Sequence, residues 1–126
     1  MNDVRNWLTQ TGLGEGLAPH VASVLSSLPE PVRIDLLTDP CFTMCEYEPG
    51  WGGVEVPVRI PASKGAPSRS VALKRSLVRR PTGFVRWVIA HELAHAFLRN
   101  GGRWPGEDPE HAADALAAQW GFPRPV

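Results

Sequence analysis

The chain has 126 residues, which is enough for one domain with one compact core, and we expect a single domain over residues 1–126. Apolar residues make up 43% of it and charged residues 21%, as in ordinary globular proteins, and it lacks the run of 18 apolar residues that a membrane span needs. The net charge is zero, and the first residues include an acid and lack the apolar core of a secretory signal, so we expect a cytoplasmic protein with no membrane partner.

The N-terminal third contains two predicted helices and one predicted strand. Residues 2–10 favour a short helix, and residues 17–28 carry apolar side chains at nearly helical spacing. Pro29 and Pro31 are expected to end the second helix. Residues 32–37 alternate loosely and are rich in branched side chains, which predicts a strand.

The middle of the chain is interpreted as strands joined by turns. Residues 42–47 and 54–60 are predicted strands, and a proline in the second of them favours an edge position. The glycine-rich residues 49–53 predict a turn and residues 61–68 a loop. Strand character resumes over residues 70–77. A small mixed sheet of three or four strands is therefore expected.

A long helix follows, with Thr82 as its expected N-cap. From Phe84 onward its apolar residues occur nearly all round, which predicts a buried central helix that ends near Asn100. Because strands are grouped between N-terminal helices and the last two helices, the fold class predicted is α+β.

The last predicted helix begins after Asp108, its expected cap, and carries Pro109 at the first position, where proline is favoured. Gly121 is placed where a helix commonly ends in a left-handed residue, and Pro123 forbids continuation.

The buried helix contains the sequence HELAH at residues 91–95. Residues four apart lie on one helical face, so His91 and His95 can bind one tetrahedral zinc ion. Glu92 is rotated about 100° from His91 and can instead take a proton from a water that the ion activates. The pattern therefore predicts two metal ligands and a general base in five residues.

A third ligand is expected from the start of the last helix. Glu110 is preferred, because Asp114 lies on the same face one turn later and can accept a hydrogen bond from the distal nitrogen of His91. His111 and Asp108 are the alternatives. With zinc as cofactor and a protein or peptide as substrate, the predicted reaction is peptide-bond hydrolysis.

The donor that would stabilise the negatively charged oxygen formed during hydrolysis stays open at this point. The candidates are His111, Tyr47 and an arginine from the basic middle of the chain.

The charges are unevenly spread along the chain. Residues 59–103 contain ten lysines and arginines and a single acid, whereas residues 1–58 contain eight acids and two arginines. Such a basic segment could meet nucleic acid, but a solvated surface neutralised by the acidic ends is favoured.

Cys41 and Cys45 would lie about 13 Å apart along a strand, too far for a disulfide. Free thiols fit a reducing compartment. One thiolate could bind the metal and keep an enzyme inactive, but two small buried apolar side chains are the favoured interpretation.

HELAH followed by Glu110 and Asp114 resembles the gluzincin clan of zinc metallopeptidases, most clearly the small ImmA/IrrE-type proteins. In these a later helix has the pattern E-x-x-A-D/N-x-x-A, matched here by Glu110, Ala113, Asp114 and Ala117. The resemblance covers residues 70–123 and implies a minimal zincin domain, in which a small sheet lies over the buried helix. Its edge strand would hold an extended substrate, with residues 70–77 nearest the cleft. Family members often cleave a helix-turn-helix repressor, which implies a regulatory protease of narrow specificity.

Two alternatives accompany this interpretation. SprT-like proteases also show HELAHA, but with a third histidine, which would be His111 here; they act on proteins bound to DNA. The alanine-rich helix and the acid at Asp114 fit the glutamate type better. The other alternative is a non-catalytic binding module that zinc merely braces, for which the base at Glu92 would have no purpose.

Overall fold

The computed structural model describes residues 2–11, 13–40, 42–47, 69–98 and 109–125, with only the backbone described at positions 2, 47, 69, 70, 109 and 110. The elements in chain order are α1 (Asn2–Leu8), α2 (Ala18–Ser27), α3 (Glu30–Leu37), β1 (Phe42–Tyr47), β2 (Arg69–Lys74), a 3-10 helix (Arg75–Arg79), α4 (Thr82–Leu98) and α5 (Pro109–Gln119). The fold is mixed α+β, which is the class predicted from the sequence, and it is mostly helical. Among the helices described, none combines the length and apolar character that a membrane span requires.

The strand predicted at residues 32–37 is wrong, because this segment belongs to helix α3. Pro31 lies in the first turn of α3, where a missing backbone N–H costs nothing. The carbonyl of Pro29 accepts a hydrogen bond from the backbone N–H of Arg33. Val32 and Leu36 are both buried and lie four residues apart, which is helical and not strand spacing.

In the described part of the chain, the sheet consists of two parallel strands instead of the three or four predicted in a mixed sheet. β1 and β2 pair in register from Phe42 opposite Arg69 to Tyr47 opposite Lys74. The strand predicted over residues 70–77 ends early, because the chain turns into the 3-10 helix after Lys74. The turn, strand and loop predicted over residues 49–68 lie outside the described residues.

Helix α4 is the central element of the core, as its apolar composition predicted. It packs against α2, α3, α5 and β2. Its buried residues are Val85, Ile89, Ala90, Leu93, Ala94 and Ala96. The helix begins one residue earlier than predicted: the carbonyl of Pro81 accepts the first helical hydrogen bond from Val85, so Thr82 is the first helical residue and not the cap. The predicted stop at Asn100 lies outside the described residues.

Helix α5 ends in the left-handed turn predicted at Gly121, whose φ is 99°. The backbone N–H of Phe122 donates to the carbonyl of Ala117, and that of Gly121 donates to Ala118, which together form a Schellman motif. Pro109 is the first residue of α5, as expected, while Asp108 lies outside the described residues. The C-terminal boundary of the helix that carries Asp114 is thus set by local sequence.

A buried carboxylate fixes the position of the 3-10 helix. Glu46, at the end of β1, is 6% exposed. It accepts a hydrogen bond from the backbone N–H of Gly14 and pairs with Arg75, with 3.4 Å between Arg75 Nε and Glu46 Oε1. A Cβ atom at position 14 would lie 2.7 Å from Glu46 Oε2, so a larger residue there would require the carboxylate to shift. The pairing connects the segment before α2 to the element that follows β2.

Candidate metal centre

His91 and His95 lie one turn apart on α4, and their Nε2 atoms face each other at 3.2 Å. The two rings are nearly perpendicular, with centroids 4.7 Å apart. Two nitrogens that each bind a tetrahedral zinc ion at 2.0–2.1 Å are separated by about 3.3 Å. The spacing of the imidazole nitrogens therefore fits a shared zinc ion.

A hydrogen bond to helix α5 fixes the orientation of the His91 ring. Asp114 Oδ1 lies 2.9 Å from His91 Nδ1, and the His91 side chain is only 13% exposed. Because an ionised carboxylate only accepts hydrogen bonds, the Nδ1–H group of His91 is the donor in this contact and Asp114 the acceptor. In the neutral form of the ring, the lone pair is then on Nε2, the atom that faces His95. The contact predicted from the spacing of Glu110 and Asp114 is present for Asp114.

Alanines on both helices allow α5 to lie close to α4. Ala90 and Ala94 of α4 and Ala113 and Ala117 of α5 are fully buried, and the two helices pack directly on one another. Small side chains at such a contact permit a short distance between helix axes. The direct packing of the two helices brings the carboxylate of Asp114 within hydrogen-bonding reach of His91.

Glu92 completes the group of possible metal ligands. Its carboxylate and the imidazole nitrogens of His91 and His95 offer ligand atoms that all lie within 4.8 Å of one another. Among the described histidine, cysteine, aspartate and glutamate residues, this is the only such group of three. A carboxylate at that distance can accept a proton from a water molecule held between the residues.

The other predicted site residues do not belong to this cluster in the described part of the chain. The backbone of Glu110 lies in the first turn of α5, one turn before Asp114, and its side chain is outside the described part of the chain. His111 is exposed and is not part of the cluster. Asp108 and the side chain of Tyr47 also lie outside the description. The role of Glu110 as third ligand stays a prediction.

Cys45 is buried on β1 opposite Ala72 and is not part of the cluster. Burial raises the pKa of its thiol, and the nearby Glu46 carboxylate raises it further. A raised pKa disfavours the thiolate that would bind a metal. These observations fit the favoured interpretation of Cys45 as a small apolar core residue; Cys41 lies outside the described residues.

One feature near the cluster was not found from the sequence, and a second, a groove, borders residues 70–77, the segment expected nearest a cleft. Trp87 lies one turn before His91, and the two rings pack with centroids 5.5 Å apart. A groove of about 400 Å³ extends from Glu92 along α4, past Val88 to Phe84. Glu92, Val88 and Phe84 are spaced four apart, so the sequence alone places them on one face of the helix. That this face borders a groove depends on the position of β2, which the sequence does not give.

Comparison of the chain with protein-family models, with curated proteins and with solved structures found no match.

Proposed function

We propose that the protein is a zinc-dependent endopeptidase whose centre is the cluster of His91, Glu92 and His95. The observation that carries the proposal is the pair of Nε2 atoms 3.2 Å apart, one ring held by Asp114, with the carboxylate of Glu92 beside them. The donor set of two imidazoles and carboxylates suits zinc. Glu110 is proposed as the third ligand because its backbone is placed one turn before Asp114 on the same helical face.

The residues have separate roles in this proposal. His91, His95 and Glu110 would hold the ion, and Asp114 keeps His91 in the tautomer that leaves Nε2 unprotonated. A bound zinc ion would polarise a peptide carbonyl and lower the pKa of a nearby water molecule. Glu92 would accept the proton of the attacking water on a carboxylate oxygen and then pass it to the leaving amine.

The resemblance to ImmA/IrrE-type proteins supports the same function and suggests a protein substrate, such as a helix-turn-helix repressor. The SprT-type alternative requires His111 as ligand. It has less support, because His111 is exposed and outside the cluster.

Glu92→Gln tests the proposal, because an amide keeps the shape of the side chain but cannot accept the proton. We expect one zinc ion per chain in both the parent protein and the variant, and loss of at least a hundredfold in peptide hydrolysis, the usual contribution of a general base. Glu15→Gln, an exposed glutamate before α2, is the matched control and should leave both properties unchanged.

Full hydrolysis by Glu92→Gln would refute the role of Glu92. Zinc binding with no hydrolysis by the parent protein, on a broad mixture of peptides, would favour the non-catalytic module that zinc braces.

A further inference from the structure

The groove beside Glu92 is built from three elements. Its wall is formed by the end of β2, the 3-10 helix and the residue that follows it, and its floor by one face of α4. The lining residues that the argument uses are Lys74, Leu77, Arg80, Phe84, Val88 and Glu92. Arg75, in the 3-10 helix of this wall, pairs with the buried Glu46 described above.

The floor is apolar and the groove is long enough for several residues. Phe84, Val88 and Glu92 are spaced four apart on α4, so Phe84 and Glu92 are separated by about 12 Å along the helix axis. An extended peptide advances about 3.3 Å per residue, so about four residues span this distance. Phe84 and Val88 are only partly buried, which leaves apolar surface for side chains of a bound segment.

The far end of the groove is positively charged. Arg80 is exposed, and its guanidinium carbon lies 4.6 Å from the centroid of the Phe84 ring. Lys74 is also exposed and belongs to the same lining. Among the ion pairs between described residues, none involves Lys74 or Arg80. The groove thus has Arg80 beside Phe84 at one end, the carboxylate of Glu92 at the other, and the exposed Lys74 in its lining.

We infer that this groove binds an extended peptide segment with apolar side chains and an acidic residue about four positions from the bond to be cut. The apolar side chains would cover Phe84 and Val88, and the acidic residue would meet Lys74 and Arg80. An acid beside the bond itself would be repelled by Glu92. The position of the cut bond rests on the proposed function, whereas the preference for acidic over basic segments does not.

Fluorescein-labelled peptides of twelve residues test the inference by anisotropy. One set has central leucines and glutamates four positions away on either side, and matched sets have glutamine or lysine there. At about 0.1 M salt we expect the metal-free protein to bind the glutamate set about tenfold more tightly than the lysine set, since two exposed charge pairs contribute modestly. In about 1 M salt, where the Debye length falls to about 3 Å, the difference should largely disappear.

Charge reversal provides the control for the groove itself. Lys74→Glu combined with Arg80→Glu should invert the preference, so that the lysine set binds more tightly. Arg5→Glu combined with Arg79→Glu changes the net charge equally at exposed positions outside the groove and should leave the preference unchanged. Inversion also distinguishes a lost contact from a misfolded variant, which would bind neither set.

The two proposals fail separately in this experiment. Equal binding of the three peptide sets by the parent protein, or an unchanged preference after charge reversal in the groove, would overturn the inference. Peptides that bind with the expected preference but are never cut by the zinc-loaded protein would count against hydrolysis and leave the groove's charge preference established.

Discussion

Replacing Asp114 should weaken zinc binding without removing a ligand. The carboxylate fixes the ring of His91 by a hydrogen bond of 2.9 Å and keeps the proton on Nδ1. In Asp114→Ala the ring can rotate, and either nitrogen can carry the proton. Part of the population then has a protonated Nε2, which cannot bind a metal.

The size of the effect follows from the exposure of the contact. A hydrogen bond to a charged group contributes about 1.5–3 kcal/mol. The Asp114 side chain is 32% exposed, so solvent weakens the bond and the lower limit applies. About 1.5 kcal/mol corresponds to a roughly tenfold weaker zinc affinity. The zinc affinity of Asp114→Asn should lie between those of the parent protein and Asp114→Ala, because the amide oxygen still accepts a hydrogen bond but carries no charge.

Competition with a fluorescent zinc chelator at neutral pH measures the affinity directly. Glu15→Ala, which removes an exposed carboxylate before α2, is the control and should bind zinc like the parent protein. The ¹⁵N chemical shifts of the His91 ring in the metal-free protein report the tautomer. Zinc affinity in Asp114→Ala within twofold of the parent value, with an unchanged tautomer, would refute the positioning role of Asp114.

Three further predictions concern stability, measured by urea unfolding. Gly121→Ala should destabilise the protein by about 1–2 kcal/mol, because the φ of 99° at this position disfavours a side chain. Gly83→Ala should instead stabilise it by up to about 1 kcal/mol, because this position is helical and has open space around it. Ile89→Ala, in the core, should cost about 2–5 kcal/mol, and Ile34→Ala, at an exposed position, well under 1 kcal/mol. The hydrogen bond from Arg33 lowers the pKa of Asp3 below its usual value of 3.8. The carboxylate therefore stabilises the protein above pH 3.8, and this contribution is lost as the pH falls through the lowered pKa. Asp3→Asn should remove that part of the acid dependence of the free energy of unfolding.

Each of these has a clear contrary result. Equal effects of alanine at Gly121 and Gly83 would contradict the left-handed helix end. Similar losses at Ile89 and Ile34 would contradict the central position of α4. Arg33 Nε in α3 lies 2.9 Å from Asp3 Oδ2 in α1, and an unchanged acid dependence in Asp3→Asn would contradict a stabilising role for this ion pair.

Local patterns in the sequence were sufficient for several elements. The all-round apolar composition of α4 predicted its central position, and the proline and glycine at the ends of α5 predicted its boundaries. Since the side chains that point the same way on a helix follow from its period alone, the common face of His91 and His95 was also predictable.

Helix α3 shows why short segments mislead. Its eight residues include branched side chains that suit a strand, and one periodic pair, Val32 and Leu36, is weak evidence for a helix. The tight connection after α2 and the packing of Leu36 into the core favour the helix, and these are tertiary effects. Pro31, interpreted as a terminator, in fact lies in the first turn of the next helix.

Contacts between distant segments could not be predicted from local patterns. The approach of Gly14 to the buried Glu46 joins residues 32 positions apart, and the groove needs the relative positions of β2, the 3-10 helix and α4. The hydrogen bond from His91 to Asp114 was predictable because His91 was interpreted as a metal ligand, and such a histidine usually donates its other ring N–H to a carboxylate.

A crystal structure of the zinc-loaded protein, with anomalous data collected at the zinc edge, tests the central claim most directly. We expect one anomalous peak 2.0–2.1 Å from the Nε2 atoms of His91 and His95, with a Glu110 carboxylate oxygen as a further ligand and Asp114 still bonded to His91 Nδ1. A peak at another place in the molecule, or two imidazoles that share no ion at saturating zinc, would contradict it.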